Sequence, residues 1–123
     1  MTQTINFLPS FNANHIEEYF SHDFDAIKSI FETANESLEA DLDQIQSSFN
    51  NNDIESLEAA IHSIKPIFNI LGLPYLEQQI ISFHNKCLIS SSVKSLKISF
   101  EQLWPELIKG KMLVYEQNRM FNS

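Results

Sequence analysis

Apolar residues recur three and four positions apart along most of this chain. Phe24, Ile27, Phe31, Ala34, Leu38, Leu42, Ile45 and Phe49 make the longest such stripe, about seven helical turns with acidic residues on the opposite face. Ile54, Leu57, Ile61, Ile64, Phe68 and Leu71 make a second stripe, and Leu73, Leu76, Ile80, Phe83 and Cys87 a third. A fourth runs through Val93, Leu96, Phe100, Leu103 and Leu107, with Met112, Val114 and Phe121 extending it. The breaks between stripes carry stop and start signals. Ser48 to Asp53 ends the first long helix and opens the next, with Asn52 predicted as its cap and Glu55 at the reciprocal capping-box position. Gly72 suits a left-handed closing residue, Pro74 opens the third helix, and Ser90 to Ser92 separates it from the fourth. Pro105 and Gly110 are expected to kink or divide that last element. Ahead of the four stripes, Ile5, Phe7, Leu8, Pro9 and Phe11 read as an extended arm or irregular cover over one end of the domain. A short helix follows, capped by Asn14, with Ile16, Tyr19 and Phe20 on one side.

Each long helix has one apolar face to hide, and short turns favour antiparallel neighbours. The expected fold is all-α: an antiparallel up-down four-helix bundle with a short N-terminal extension or helix, forming a single domain over residues 1–123. Composition agrees. Only two glycines and four prolines favour long helices over a sheet with many turns, and 43% hydrophobic residues suffice for one core.

Charge and reactive residues narrow the functional classes. The formal charge of -8 repels a phosphate backbone and offers no basic patch to an anionic membrane, so neither nucleic acid nor a membrane is an expected partner. The acids are concentrated early: residues 1–60 hold twelve against Lys28 alone, whereas residues 61–123 hold four acids and seven bases. Antiparallel folding brings the two halves together. MTQTINFLPSF has no positive residue and no long apolar run, so it reads as neither signal peptide nor anchor, and a cytoplasmic location is expected. Cys87, the one cysteine, lies on an apolar stripe and reads as a small buried hydrophobe. His15, His22, His62 and His84 form no short metal-ligand motif, and no catalytic triad follows from spacing. The two early histidines are candidates to cap or cover a helix, and His84, at the edge of the third stripe, reads as a partly buried structural residue. Trp104 and Tyr115 read as a hydrophobic anchor for the last helix, with a ligand or partner patch as the alternative.

The stretch AIHSIKPIFNILG, Ala60 to Gly72, is where chemistry is concentrated. At about 100 degrees per residue from Ile54, the buried arc spans roughly 240 to 340 degrees, and His62 falls near 80. Glu58, Lys65 and Asn69 lie within about 60 degrees of His62, with Pro66 on its other flank. His62 is therefore expected in solvent, with Lys65 one turn further on. Glu58 could hydrogen-bond the His62 ring or simply add surface charge; a carboxylate close to a phosphate is unfavourable, so it stays outside the catalytic set.

HSIKPIFNILG, with His62, Lys65 three residues later and Gly72 seven after the lysine, resembles the signature of histidine-containing phosphotransfer (HPt) domains. Leu73 and Leu76 continue the family's leucine pattern. The resemblance implies a four-helix bundle whose exposed histidine takes a phosphoryl group from an aspartyl phosphate on a receiver domain and passes it to another receiver. It implies His62 as nucleophile and Lys65 as the charge that offsets the phosphoryl oxygens. Asn69, Gly72 and Pro66 are candidates for the supporting surface, Asn69 either orienting an imidazole or binding a partner residue, or serving as ordinary polar surface. Gly72 is expected to close the helix and let a partner approach. The implied partners are response-regulator receiver domains and a hybrid histidine kinase. No cofactor is expected on this chain, Mg2+ being supplied by the receiver during transfer. Pro66 departs from the family, which commonly has a small residue, often glycine, after the lysine. Proline lacks the N–H that would bond the His62 carbonyl and disfavours straight helix. The alternative reading is a noncatalytic helical adaptor, or a degenerate HPt domain, that binds signalling proteins.

Overall fold

The computed structural model describes residues 6–123, so Ile5 of the opening arm lies outside the described residues. Its helices are α1 (Ala13–Tyr19), α2 (Phe24–Asn50), α3 (Ile54–Ile70), α4 (Pro74–Ile89) and α5 (Lys97–Phe121), the last preceded by a 3-10 turn at Lys94–Leu96. No strand occurs among the described residues. α2 and α4 each pack on both α3 and α5. With the short links 51–53 and 71–73 reversing the chain, this makes an antiparallel up-down four-helix bundle, as the apolar stripes require.

The stripes meet in one core. Ile27, Phe31, Leu38 and Ile45 of α2, Leu57, Ile61, Ile64 and Phe68 of α3, Ile80 of α4 and Leu107 of α5 are all essentially inaccessible to water. Each side chain of this kind contributes about 1.5–3 kcal/mol on burial, so packing of the apolar faces, rather than helix propensity, holds the bundle together. Phe24 and Phe49, at the two ends of the α2 stripe, are only partly covered. Phe49 stacks on Phe100 with ring centroids 4.0 Å apart, and Phe100 stacks in turn on Trp104 at 5.6 Å, which ties α2 to α5. Trp104 is thus an anchor through Phe100; Tyr115 stands exposed, as does Met112, which lies outside the buried stripe.

Helix ends depart from the sequence expectation in two places. Asn52 adopts a left-handed backbone (φ 56) and closes α2: its N–H bonds the Phe49 carbonyl and the Asp53 N–H bonds the Ser48 carbonyl, at 3.1 and 3.0 Å. A residue in that conformation cannot also be an N-cap, which needs extended backbone. Asp53 is the cap of α3 instead, its carboxylate accepting the Ser56 N–H at 3.1 Å. At α1 the cap is Asn12, accepting the His15 N–H, and Asn14 lies inside the helix. α5 is also not divided. Pro105 sits within it, and the carbonyl it deprives of a partner belongs to exposed Glu101, where water can serve. Gly110 is buried against α3 and α4: a side chain there would run into the end of Leu76 and meet the Phe68 ring at 3.3 Å.

The N-terminal arm covers one end of the bundle as expected. Phe11 packs edge-on against Phe31, and Phe7 and Phe31 both meet the Phe121 ring. Gln117, fully buried on α5, holds the arm by two backbone contacts: it accepts the Leu8 N–H at 2.7 Å and donates to the Asn6 carbonyl at 2.9 Å. Ile16 is buried beneath α1, whereas Tyr19, expected beside it, is 55% exposed.

Candidate functional site

α3 carries the site, and its amphipathic pattern decides which face is available. Leu57, Ile61, Ile64 and Phe68 point into the core, which turns His62 outward; it is exposed, as its angular position requires. Lys65, one turn along, is half-buried, and Pro66 and Asn69 are exposed beside it. The helix runs unbroken through Pro66 from Ile54 to Ile70. What proline removes is the backbone donor for the His62 carbonyl, and that carbonyl is on the solvent side.

Lys65, Pro66, Asn69 and Ile70 line an open groove of about 430 Å³ together with Tyr19 of α1 and Glu77 and Ile81 of α4. The surface next to His62 is therefore mixed: one lysine, one carboxylate, an amide and several apolar side chains. Tyr19, Glu77 and Ile81 were not among the site residues expected from sequence, because they reach the groove only through packing of α1 and α4 against α3.

Gly72 is placed differently from expectation. Its backbone is left-handed (φ 70) and closes α3, with the Leu73 N–H bonding the Phe68 carbonyl at 3.2 Å. Yet it is buried, and the neighbour that comes close is the chain's own arm: a Cβ at Gly72 would lie 3.0 Å from both the Asn12 carbonyl oxygen and the Ile16 side chain. The close approach that it permits is that of α1 and its capping residue. His15 of α1 reaches the same end of α3, donating from Nε2 to the Asn69 carbonyl at 2.9 Å, the helix-capping role open to it from sequence.

Glu58 does not bond His62. Its Oε1 accepts from His84 Nε2 at 2.7 Å, joining α3 to α4, and it is the His84 ring that lies beside His62, with centroids 5.3 Å apart and planes inclined by 33°. His84 is 7% exposed. The contact had one signal in the sequence: His62 and His84 lie ten residues before and twelve after Gly72, nearly symmetric about the turn of an antiparallel hairpin. Cys87, one turn beyond His84, is buried, and that burial, with a smaller contribution from the Glu58 charge, pushes its thiol up to about 11. It is held as a neutral thiol.

Among the described residues, no group of three or more histidine, cysteine or carboxylate side chains is placed to hold a metal ion, and no helix is long and apolar enough to cross a membrane.

No protein-family model and no curated protein sequence matches this chain. Among solved structures, the chain is similar to the HPT domain of a sensor hybrid histidine kinase from Shewanella. The match has a TM-score of 0.76 and 18% sequence identity, and covers 87% of this chain and 92% of that one. The fold of the chain is that of an HPt domain.

Proposed function

We propose that this chain is a phosphorelay carrier that takes a phosphoryl group onto His62 from the aspartyl phosphate of a response-regulator receiver domain and hands it to another receiver. The observation that carries this reading is an exposed histidine on the outer face of an HPt-fold helix, followed one turn later by Lys65. In the transfer, the lone pair of a neutral His62 ring nitrogen attacks phosphorus while the bond from phosphorus to the aspartyl oxygen breaks, its electron pair returning to the carboxylate. The proton on the other ring nitrogen remains, leaving a phosphoimidazolium that can lose it to water. Lys65 offsets the phosphoryl charge without directional chemistry of its own. Mg2+ is required of the receiver, whose carboxylates hold it during the transfer. The receiver belongs to a response regulator or to a hybrid histidine kinase, and it docks over the groove between Tyr19, Pro66 and Ile81.

The test is phosphoryl uptake from a radiolabelled phosphorylated receiver domain with Mg2+ present. Acid-labile, base-stable label is expected on the wild-type chain and none on His62→Gln, with receiver binding retained by both. Label surviving in His62→Gln overturns the assignment. Binding with no uptake by the wild type, across the receivers of the source organism, favours the noncatalytic adaptor, for which Pro66 beside the histidine is the motivating feature.

A further inference from the structure

We infer that the outer face of α5 is a self-complementary surface on which a second copy of this chain docks, its own α5 antiparallel, about a two-fold axis at Pro105. This stands independently of the carrier function proposed above. α2 and α4 each pack on both α3 and α5, so α3 and α5 occupy opposite corners of the bundle, and α5 turns Phe100, Leu103, Leu107 and Val114 inward. Its outer side carries Ile98, Pro105 and Met112 at intervals of seven residues, a nearly straight stripe of about four turns. Ile98 is 73% exposed and Met112 65%, and Pro105 between them is exposed as well. Scattered exposed aliphatics are ordinary, whereas a row at heptad spacing is the seam on which another helix packs.

The row reads the same from both ends. Ile98 and Met112 stand seven residues to either side of Pro105, and Glu101 and Lys109 four residues to either side. A two-fold axis across α5 at Pro105 therefore sets Ile98 against Met112 of the second copy and Glu101 against Lys109 of the second copy, each contact occurring twice. Glu101 and Lys109 are exposed, and they flank the stripe at about 40 degrees on opposite sides of Pro105. Within one chain Glu101 meets Lys97 at 4.0 Å, the outer limit of an ion pair, with both side chains mostly in water. The Glu101 carbonyl, which Pro105 deprives of its helical donor, lies at the same level and gives an ammonium from the second copy a further acceptor. Charge also selects this face. The chain carries -8 overall, yet α5 holds four bases and three acids, whereas α2 holds six acids and one lysine. Copies meeting through α2 would set like charges together; copies meeting through α5 do not, and His62 at the opposite corner stays open in both.

Sedimentation equilibrium and NMR of the full chain over a concentration series test this. One helix from each copy makes a small interface, so half-dissociation on the order of 100 μM is expected. Resonances that move with concentration should lie on the outer face of α5. Met112→Glu, Glu101→Lys and Lys109→Glu should each raise the half-dissociation concentration about tenfold. Glu101→Lys does so while reducing the overall negative charge, so a change in general repulsion predicts the opposite result. The double variant E101K/K109E restores the pairing with its signs exchanged and should return to within about twofold of the wild type. All these side chains are exposed, melting curves check that each variant is folded, and His62→Gln should associate as the wild type does. A chain that stays monomeric up to about 1 mM overturns the inference and leaves the face to a different protein. Association that Met112→Glu leaves intact also overturns it, because the contact then lies on another face. A double variant no tighter than the single reversals overturns the antiparallel register.

Discussion

The carbonyl of Gly72 accepts the backbone N–H of Asn12 at 2.7 Å, so the turn that closes α3 is also the point where the N-terminal arm is fastened. Both demands fall on one residue without a side chain. Gly72→Ala must place a Cβ on a left-handed backbone and 3.0 Å from the Asn12 carbonyl oxygen, and a loss of about 2 kcal/mol is expected from strain and overpacking together. Urea denaturation measures it. Limited proteolysis should show earlier cleavage in the arm. Full stability in the variant would mean that the arm is not held there.

Pro66 costs α3 a backbone hydrogen bond at the His62 carbonyl. Pro66→Ala restores the donor and improves helix propensity, offset in part by the greater freedom of the unfolded chain, for a net gain of roughly 1–2 kcal/mol. A raised melting temperature is the expected readout. If it falls instead, the proline ring is making contacts that outweigh the missing bond.

Lys65 is expected to act through charge. Lys65→Ala should slow transfer to His62 about tenfold with the melting temperature little changed, and Lys65→Arg should keep most of the rate, because the charge stays within reach of the phosphoryl oxygens. Equal rates for Lys65→Ala and the wild type would remove it from the transfer site.

Cys87 should be inert while the protein is folded. Its thiol is pushed up to about 11, chiefly by burial, so almost no thiolate is present at pH 8. Iodoacetamide is expected to label it only in denaturant. The same shift has a stability consequence: the folded state favours the neutral thiol, and that contribution is complete below the ordinary value of 9.0 and lost as pH rises through about 11.

Asp53 shows the opposite sign. Hydrogen bonds from the Ser56 backbone and hydroxyl lower its carboxyl below the ordinary value of 3.8, so its contribution is present above that value and lost as pH falls through the folded one. Asp53→Ala should lower the melting temperature by a few degrees at pH 7, and the gap should narrow in acid. Asp53→Asn keeps a capping oxygen and should lie between the two without that pH dependence.

The readable part of this molecule is local in sequence. Period 3.6 marks Leu57, Ile61, Ile64 and Phe68 as buried and therefore turns His62 outward, because side-chain direction along a helix follows from spacing alone. Gly72 as a left-handed stop and Cys87 as a core residue follow from equally short-range chemistry. The misplaced caps show where that logic ends. Asn12 and Asn14, or Asn52 and Asp53, are equally good capping side chains, and the choice is made by which backbone is left-handed or tied to a neighbouring turn.

Tertiary structure alone decided the rest of the site. Glu58 is on the His62 side of α3 by periodicity, yet it bonds His84, because the packing of α4 against α3 brings that ring within hydrogen-bond reach. Tyr19, expected on the same side of the short first helix as Ile16, is left at the groove because α1 docks through Ile16 onto Gly72. Periodicity specifies direction around one helix axis, whereas the rotation and sliding of one helix against another depend on how many side chains interdigitate at once. The sequence by itself therefore determined the bundle, its buried faces and an outward His62; only packing between helices determined what stands beside that histidine.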